Sequence, residues 1–337
     1  MKHVFLINSH TTFLTAMGII EYLKLSNDDI VFLYLRHYKN SVFELTFKII
    51  DISDIDDYNK DDAAGLKKII KYIDGLVKEY VYDEFILYTP HMQMKGAQAL
   101  YTNKSCIEVC YVQEGALPQP KAFVTKLKFM QKLKMLAATL IKYRTFRVWR
   151  AFGWYQPGVL KKQSMIKCFA VNDKYFKYMP SELHLIKWPI PQMKSEVQDG
   201  NVVFVFDGFI SNGLAEKDVY YRLCQEIISL NISNINYLKF HPAQTSDERD
   251  FIINLFKKAN REFIVCNDTI PFELTLCVSK NLKVVGFSSS LLLFAHYSGH
   301  EMEPYDNLLV AESRIYSKHI LNSGYPILHN LKINGQI

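Results

Sequence analysis

Short apolar runs rich in Val, Ile and Phe alternate along this chain with longer stretches whose apolar residues recur every three or four positions, and few folds tolerate that rhythm. In the first half His3–Asn8, Ile30–Leu35, Phe85–Tyr88 and Ile107–Val112 read as buried strands. Thr12–Leu25 and Ala63–Tyr80 read as helices, the second with Leu66, Ile69, Ile70, Ile73 and Leu76 on one stripe. Strands too apolar to keep a wet face, separated by helices, predict a parallel sheet with crossover helices on both sides. Lys187-Trp188-Pro189-Ile190-Pro191 interrupts the rhythm with two prolines and reads as a connector. It then restarts. Val202–Phe206, Asn236–Phe240, Glu262–Cys266 and Lys283–Val285 read as strands, Glu216–Leu230 and Asp247–Ala259 as helices, and further helices begin near Pro271 and within Ser288–Ser290. The expected architecture is α/β: two doubly wound, Rossmann-like domains facing a cleft, residues 1–190 and 191–337, with the last helix free to pack back on the first domain.

The length of 337 residues suits two domains of about 150 residues each. Hydrophobic residues make up 49% of the chain, enough for two cores and too many for a disordered protein. No apolar run approaches the roughly 20 residues that span a bilayer, and the apolar part of Met1–Asn8 is too short for a signal peptide. Six cysteines, none in a Cys-x-x-Cys pair, read as buried free thiols rather than a disulfide framework or zinc site. A reducing cytosol is the expected compartment. The net charge of +6 is unevenly spread: Asp51–Glu84 is acid-rich, whereas Lys121–Asn172 holds no acidic residue at all. A one-signed stretch of that length implies an anionic partner.

Three loops follow expected strands, where open α/β sheets bind ligands. Lys239-Phe240-His241-Pro242 places an imidazole at a sheet edge, able to donate to a phosphate or protonate a leaving group. Gly286-Phe287-Ser288-Ser289-Ser290 puts hydroxyls and free backbone N–H groups at a helix start, a setting for an anion. Val112-Gln113-Glu114-Gly115 offers a strand-end carboxylate as general base. Each also has an ordinary reading taken alone: a surface histidine before a proline, serine N-capping, and a strand-ending turn.

Taken together and in this order, the acid-Gly, His-Pro and serine segments resemble the bacterial sialyltransferases of GT-B fold, over Gln113 to Ser290. The resemblance implies roles residue by residue. Glu114 matches the carboxylate that deprotonates the acceptor hydroxyl. His241 matches the histidine that contacts the CMP phosphate and assists its departure, with Lys239 beside it. Ser289 and Ser290 look like the phosphate-binding pair, and Ser288 leaves the register open by one. Pro271 and Glu273, with Gly208, stand where family members hold cytosine and ribose; a plain helix start explains Pro271 and Glu273 equally well. Gln113 replaces a first acid that many members carry. The implied donor is CMP-Neu5Ac (CMP-sialic acid). The implied acceptor is a surface glycan, a lipooligosaccharide, O-antigen or capsule ending in galactose or sialic acid. Neither a metal nor another cofactor is required. Asp54-Ile55-Asp56 spells the Asp-x-Asp of metal-dependent glycosyltransferases but lies in an acid-rich stretch that reads as a solvated loop.

The basic segment 121–150 interleaves cations with Phe123, Leu127, Met130, Leu133, Leu140 and Trp149. It reads as an amphipathic helix on the anionic inner face of a membrane, as a guide for an anionic glycan, or as a core-facing helix with a solvated basic side. No nucleic-acid motif accompanies it. The rival functions are a CDP-glycerol-type glycerophosphotransferase, which shares Lys-x-His-Pro and a late Ser-Ser pair, and a non-catalytic membrane-surface partner protein.

Overall fold

In the first half the apolar runs become strands of one sheet: β1 (Lys2–Ile7), β2 (Ile30–Tyr34), β3 (Lys48–Asp51), β4 (Phe85–Thr89), β5 (Cys106–Val112), β6 (Ile166–Ala170) and β7 (Ser181–Leu185). Their order is β3-β2-β1-β4-β5-β6-β7, and every neighbouring pair runs parallel. The computed structural model describes residues 1–40, 42–58, 63–116, 129–145, 147–148, 166–179, 181–231, 233 and 235–335. Contacts divide the chain into two compact units, Met1–Pro189 and Ile190–Ile337.

Local chemistry sets the helix ends. Helix α1 (His10–Leu23) begins where the Ser9 hydroxyl accepts the Thr12 amide at 3.2 Å and the Thr12 hydroxyl accepts the Ser9 amide at 3.1 Å, a reciprocal cap. That cap starts the helix two residues before the apolar pattern alone would. Helix α2 (Ala63–Leu76) buries Leu66, Ile69 and Ile73 and then widens into a π-type turn over Val77–Val81, ending at left-handed Tyr82. Helices α3 (Lys95–Tyr101) and α4 (Phe129–Tyr143) complete the unit. Leu6, Leu33, Ile73, Leu87, Val109 and Tyr111 sit in one core cluster.

The second unit repeats the plan. Strands β8 (Val202–Phe206), β9 (Asn236–Phe240), β10 (Phe263–Val265), β11 (Lys283–Gly286) and β12 (Glu301–Pro304) form a parallel sheet in the order β10-β9-β8-β11-β12. Its helices are α5 (Lys217–Leu230), α6 (Ser246–Lys258), α7 (Phe272–Val278), α8 (Ser290–Tyr297), α9 (Asp306–Glu312), α10 (Arg314–Ser323) and α11 (Leu328–Ile333). Phe204, Phe206, Phe240, Phe256 and Phe287 pack an aromatic-rich core. The last helix, left free by the sequence to return to the first domain, belongs to the second unit. The Asp306 carboxylate accepts the Leu328 and His329 amides at 2.5 and 2.9 Å and pins the start of α11.

All six cysteines are free, five of them buried. Within the basic segment, residues 121–128, 146, 149 and 150 lie outside the described residues. On α4, Met130, Leu133, Leu140 and Ile141 are exposed beside exposed Lys134 and Lys142, while Thr139 and Tyr143 are buried. No helix among the described residues is long and apolar enough to cross a membrane. Asp54-Ile55-Asp56 falls in a 3₁₀ turn, Ser53–Tyr58, with Asp54 exposed and Ile55 buried. Among the described residues no group of three His, Cys, Asp or Glu side chains is placed to hold a metal.

Gly18 fixes how α1 meets the chain after β7: a Cβ there would lie 2.4 Å from the Lys187 carbonyl oxygen. Gly18→Ala gains up to about 1 kcal/mol of helix propensity. It loses about 1–3 kcal/mol to overpacking against backbone that cannot yield. The expected outcome is a net loss of stability in chemical denaturation; an unchanged or raised midpoint would show that the Lys187 segment yields freely.

Candidate active site

Each unit gathers polar side chains at the carboxyl ends of neighbouring strands. In the first unit these are β1, β4 and β5. Glu114 lies two residues beyond β5, and its backbone N–H donates to the Tyr175 hydroxyl at 3.2 Å. Asn8, immediately after β1, donates from Nδ2 to Glu114 Oε1 at 2.6 Å. His91, two residues after β4, holds Nε2 3.5 Å from Glu114 Oε2. His91 Nδ1 accepts the Gln93 amide at 3.2 Å. The neutral ring therefore carries its hydrogen on Nε2, facing the carboxylate. Burial lowers the His91 pKa below its ordinary value, against the pull of Glu114 and with some help from Arg36. Strand order reverses direction between β1 and β4, the switch point where doubly wound sheets open a crevice.

A cavity of ≈ 220 Å³ adjoins this cluster, lined by Leu35, Arg36, Ile55, His91, Lys95 and neighbours. Arg36 and His37, after β2, both adopt left-handed backbone at φ 55° and 51°. That conformation is costly for non-glycine residues and tends to persist at functional sites. It is held by the His37 amide, which donates to Ser53 Oγ at 2.6 Å, while Ser53 in turn donates to Asp51.

In the second unit the relevant ends belong to β9, β8 and β11, which are adjacent. His241 follows β9; its Nδ1 accepts the Ala243 amide at 3.1 Å, so the neutral ring carries its hydrogen on Nε2. Burial lowers its pKa, reinforced by the positive charges of Arg249 and Lys239. Gly208, after β8, lets this loop come close: a Cβ there would sit 3.2 Å from His241 Nδ1 and 3.1 Å from Asn212 Nδ2. Ser289 caps α8, its hydroxyl accepting the Leu291 amide at 3.4 Å; Ser289 is buried, and Ser288 and Ser290 are half-buried.

The structure thus brings Gly208, His241 and the serines to one sheet edge, and sets Glu114 at the corresponding edge of the other unit. Pro271 and Glu273 open the seven-residue α7, with Glu273 buried. Lys239 requires a correction. The sequence offered its ammonium to a phosphate, but the side chain is buried and paired with Asp268 at 2.9 Å, a carboxylate that Arg249 also holds at 2.7 Å. Its charge is already neutralised. Asn8, His91, Arg36 and Asp207 belong to these clusters and were not singled out from sequence. The available signal was their common place just past an apolar run.

A family model described as alpha-2,8-polysialyltransferase (POLYST) matches residues 3–301. The chain belongs to this family. Among curated proteins no sequence matches it. Among solved structures, a Listeria monocytogenes protein assigned as a UDP-N-acetylglucosamine 2-epimerase aligns with 95% of this chain and 81% of its own, at 10% identity and TM-score 0.52. The spinosyn rhamnosyltransferase SpnG aligns with 96% of this chain and 84% of its own, at 9% identity and TM-score 0.44. The polysialyltransferase family member is therefore a sialyltransferase-type glycosyltransferase of GT-B fold, taking a nucleotide-sugar donor and a glycan acceptor.

The buried histidine gives a test of this geometry. A folded-state pKa lowered from 6.5 means that the unfolded chain binds the proton first as pH falls. Stability contributed by neutral His91 is complete above pH 6.5 and is lost as pH drops through the lower folded value. His91→Phe is expected to flatten part of the acid limb of a Tm-against-pH curve. An unchanged acid limb would mean that His91 is not held neutral.

Proposed function

We propose that this polysialyltransferase family member moves sialic acid from CMP-Neu5Ac to a hydroxyl of a terminal sugar on a surface glycan, in one inverting displacement. The observation that carries the reading is Glu114, a carboxylate fixed by Asn8 on one oxygen and faced by His91 Nε2–H on the other. A base so held keeps lone pairs for an acceptor hydroxyl and cannot swing away.

In the proposed reaction the acceptor oxygen bonds to the anomeric carbon while the bond from that carbon to the CMP phosphate oxygen breaks. CMP leaves with the electron pair, and the acceptor proton passes to Glu114. Negative charge grows on the phosphate, where donors preset in the ground state are most effective. His241 supplies Nε2–H, and Ser288 to Ser290 supply hydroxyl and backbone donors at the head of α8. With a depressed pKa, His241 acts as a neutral hydrogen-bond donor in the free enzyme. Lys239 contributes through the field it shares with Arg249 and Asp268 rather than by direct contact. Pro271 and Glu273 are retained as the proposed cytidine and ribose side. No step of this scheme calls for a metal.

Of the two acceptor classes, the cavity beside His91 favours the acidic one. Arg36, exposed and unpaired, and Lys95 line it, and a sialic acid terminus carries the carboxylate that such cations recognise.

Incubation with CMP-Neu5Ac and acceptors ending in sialic acid or galactose, with EDTA present throughout, tests the reading. Release of CMP coupled to sialyl transfer is expected. Consumption of CDP-glycerol with CMP-Neu5Ac left untouched would overturn it. Glu114→Gln is expected to lower turnover by at least about a hundredfold, the scale of general-base contributions, while CMP binding persists. Near-normal turnover would remove Glu114 from the base position.

A further inference from the structure

Asp207, the residue immediately after β8, is not needed by the chemistry above, yet it lies beneath the serines. Its side chain is 9% exposed, and its Oδ2 has no hydrogen-bond partner. Such an orphan oxygen in a buried carboxyl costs stability and calls for a role. The Ser289 hydroxyl and the Ser288 amide approach this carboxyl closely enough to favour its charged form, against burial. The groups facing it from other elements offer no cation. Tyr220 of α5 donates to the Asp207 carbonyl at 3.2 Å. Cys224 of α5 and Tyr316 of α10 are buried thiol and phenol. Asp306 of α9 is a second carboxyl that opposes ionisation.

The hydrogen count at Ser289 then matters. A serine has one hydrogen to give and two lone pairs. Its oxygen already accepts the Leu291 amide. Beside an ionised Asp207 the serine hydrogen is drawn to the carboxylate. A phosphate arriving at the head of α8 then meets lone pairs backed by a buried negative charge. Beside a protonated Asp207 the polarity reverses: the acid donates to Ser289 Oγ, and the serine hydrogen is released toward the phosphate. We infer that Asp207 is a positioning residue that must carry its proton for the phosphate of a cytidine-nucleotide donor to bind, so that donor binding is linked to proton uptake. The inference rests on the donor reading given above.

Burial raises the Asp207 pKa to about 7, so the switch falls within the working range of an enzyme. His241, lowered from its ordinary value, titrates on the acid side of that window. CMP-Neu5Ac itself keeps its phosphodiester and carboxylate ionised across the window.

The test is calorimetric titration of CMP-Neu5Ac into the full-length Glu114→Gln protein, in buffers of differing ionisation heat, from pH 5.5 to 8.5. Proton uptake is expected to rise from near none to about one per donor bound, with the dissociation constant weakening by about tenfold per pH unit on the alkaline side. Adding Asp207→Asn, whose amide keeps the donor direction permanently, is expected to abolish the uptake and flatten the pH profile. A flat profile without uptake when Asp207 is intact would overturn the inference while leaving the donor reading standing. Uptake that survives Asp207→Asn would overturn it as well. Absence of CMP-Neu5Ac binding at every pH would instead overturn the donor reading, and this inference with it. The first measurement keeps Asp207 in place, so it decides the question even if the substituted protein folds poorly.

Discussion

Desolvation of both faces of a parallel sheet governs what this chain can do and where. β1, β2, β8 and β9 bury all or nearly all of their residues, with Phe, Leu, Val and Tyr crowding both faces. A buried, unpaired polar group there would cost a few kcal/mol. Side chains that carry chemistry are therefore pushed to the strand ends, where loops leave the sheet. In the first unit that rule assembles Asn8, His91 and Glu114 from β1, β4 and β5. In the second it assembles Asp207, Gly208, His241 and the serines from β8, β9 and β11. Adjacent strands in space, not neighbours in sequence, decide which of these residues meet.

The same desolvation sets protonation. It lowers His91 and His241, so that each presents a neutral ring with hydrogen on Nε2. It raises Asp207 to about 7 and Asp306 to about 6, although hydrogen bonds to their oxygens pull the other way. Histidines held neutral and carboxyls held protonated make a site poor in net charge but rich in oriented hydrogens. That is a suitable surface for a transferring group whose charge moves during reaction. Where a true cation is buried, as at Lys239, it is compensated by Asp268 rather than left to wait for ligand.

Most of the interior strands could be read directly, because continuous apolar runs such as Val202–Phe206 have no other stable home. The edge strands could not. β3 reads Lys-Ile-Ile-Asp, β7 reads Ser-Glu-Leu-His-Leu and β12 reads Glu-Met-Glu-Pro, all half-exposed and mixed in polarity. Helix α3 is only seven residues, too short to display a period. At the site, Glu114, His241 and Ser289 were visible as strand-end residues of suitable type. Asn8 and His91 were not, because their meeting with Glu114 depends on β4 lying between β1 and β5, which alternation does not specify. The misreading of Lys239 has the same origin, since Asp268 approaches from the loop beyond β10.

The central claim is a single displacement with Glu114 as base, and the anomeric configuration of the first product tests it most directly. NMR of the disaccharide linkage formed from β-configured CMP-Neu5Ac is expected to show an α-linked sialic acid, the inversion that one in-line attack demands. A β-linked product would mean two displacements through an intermediate, and it would contradict the account of Glu114.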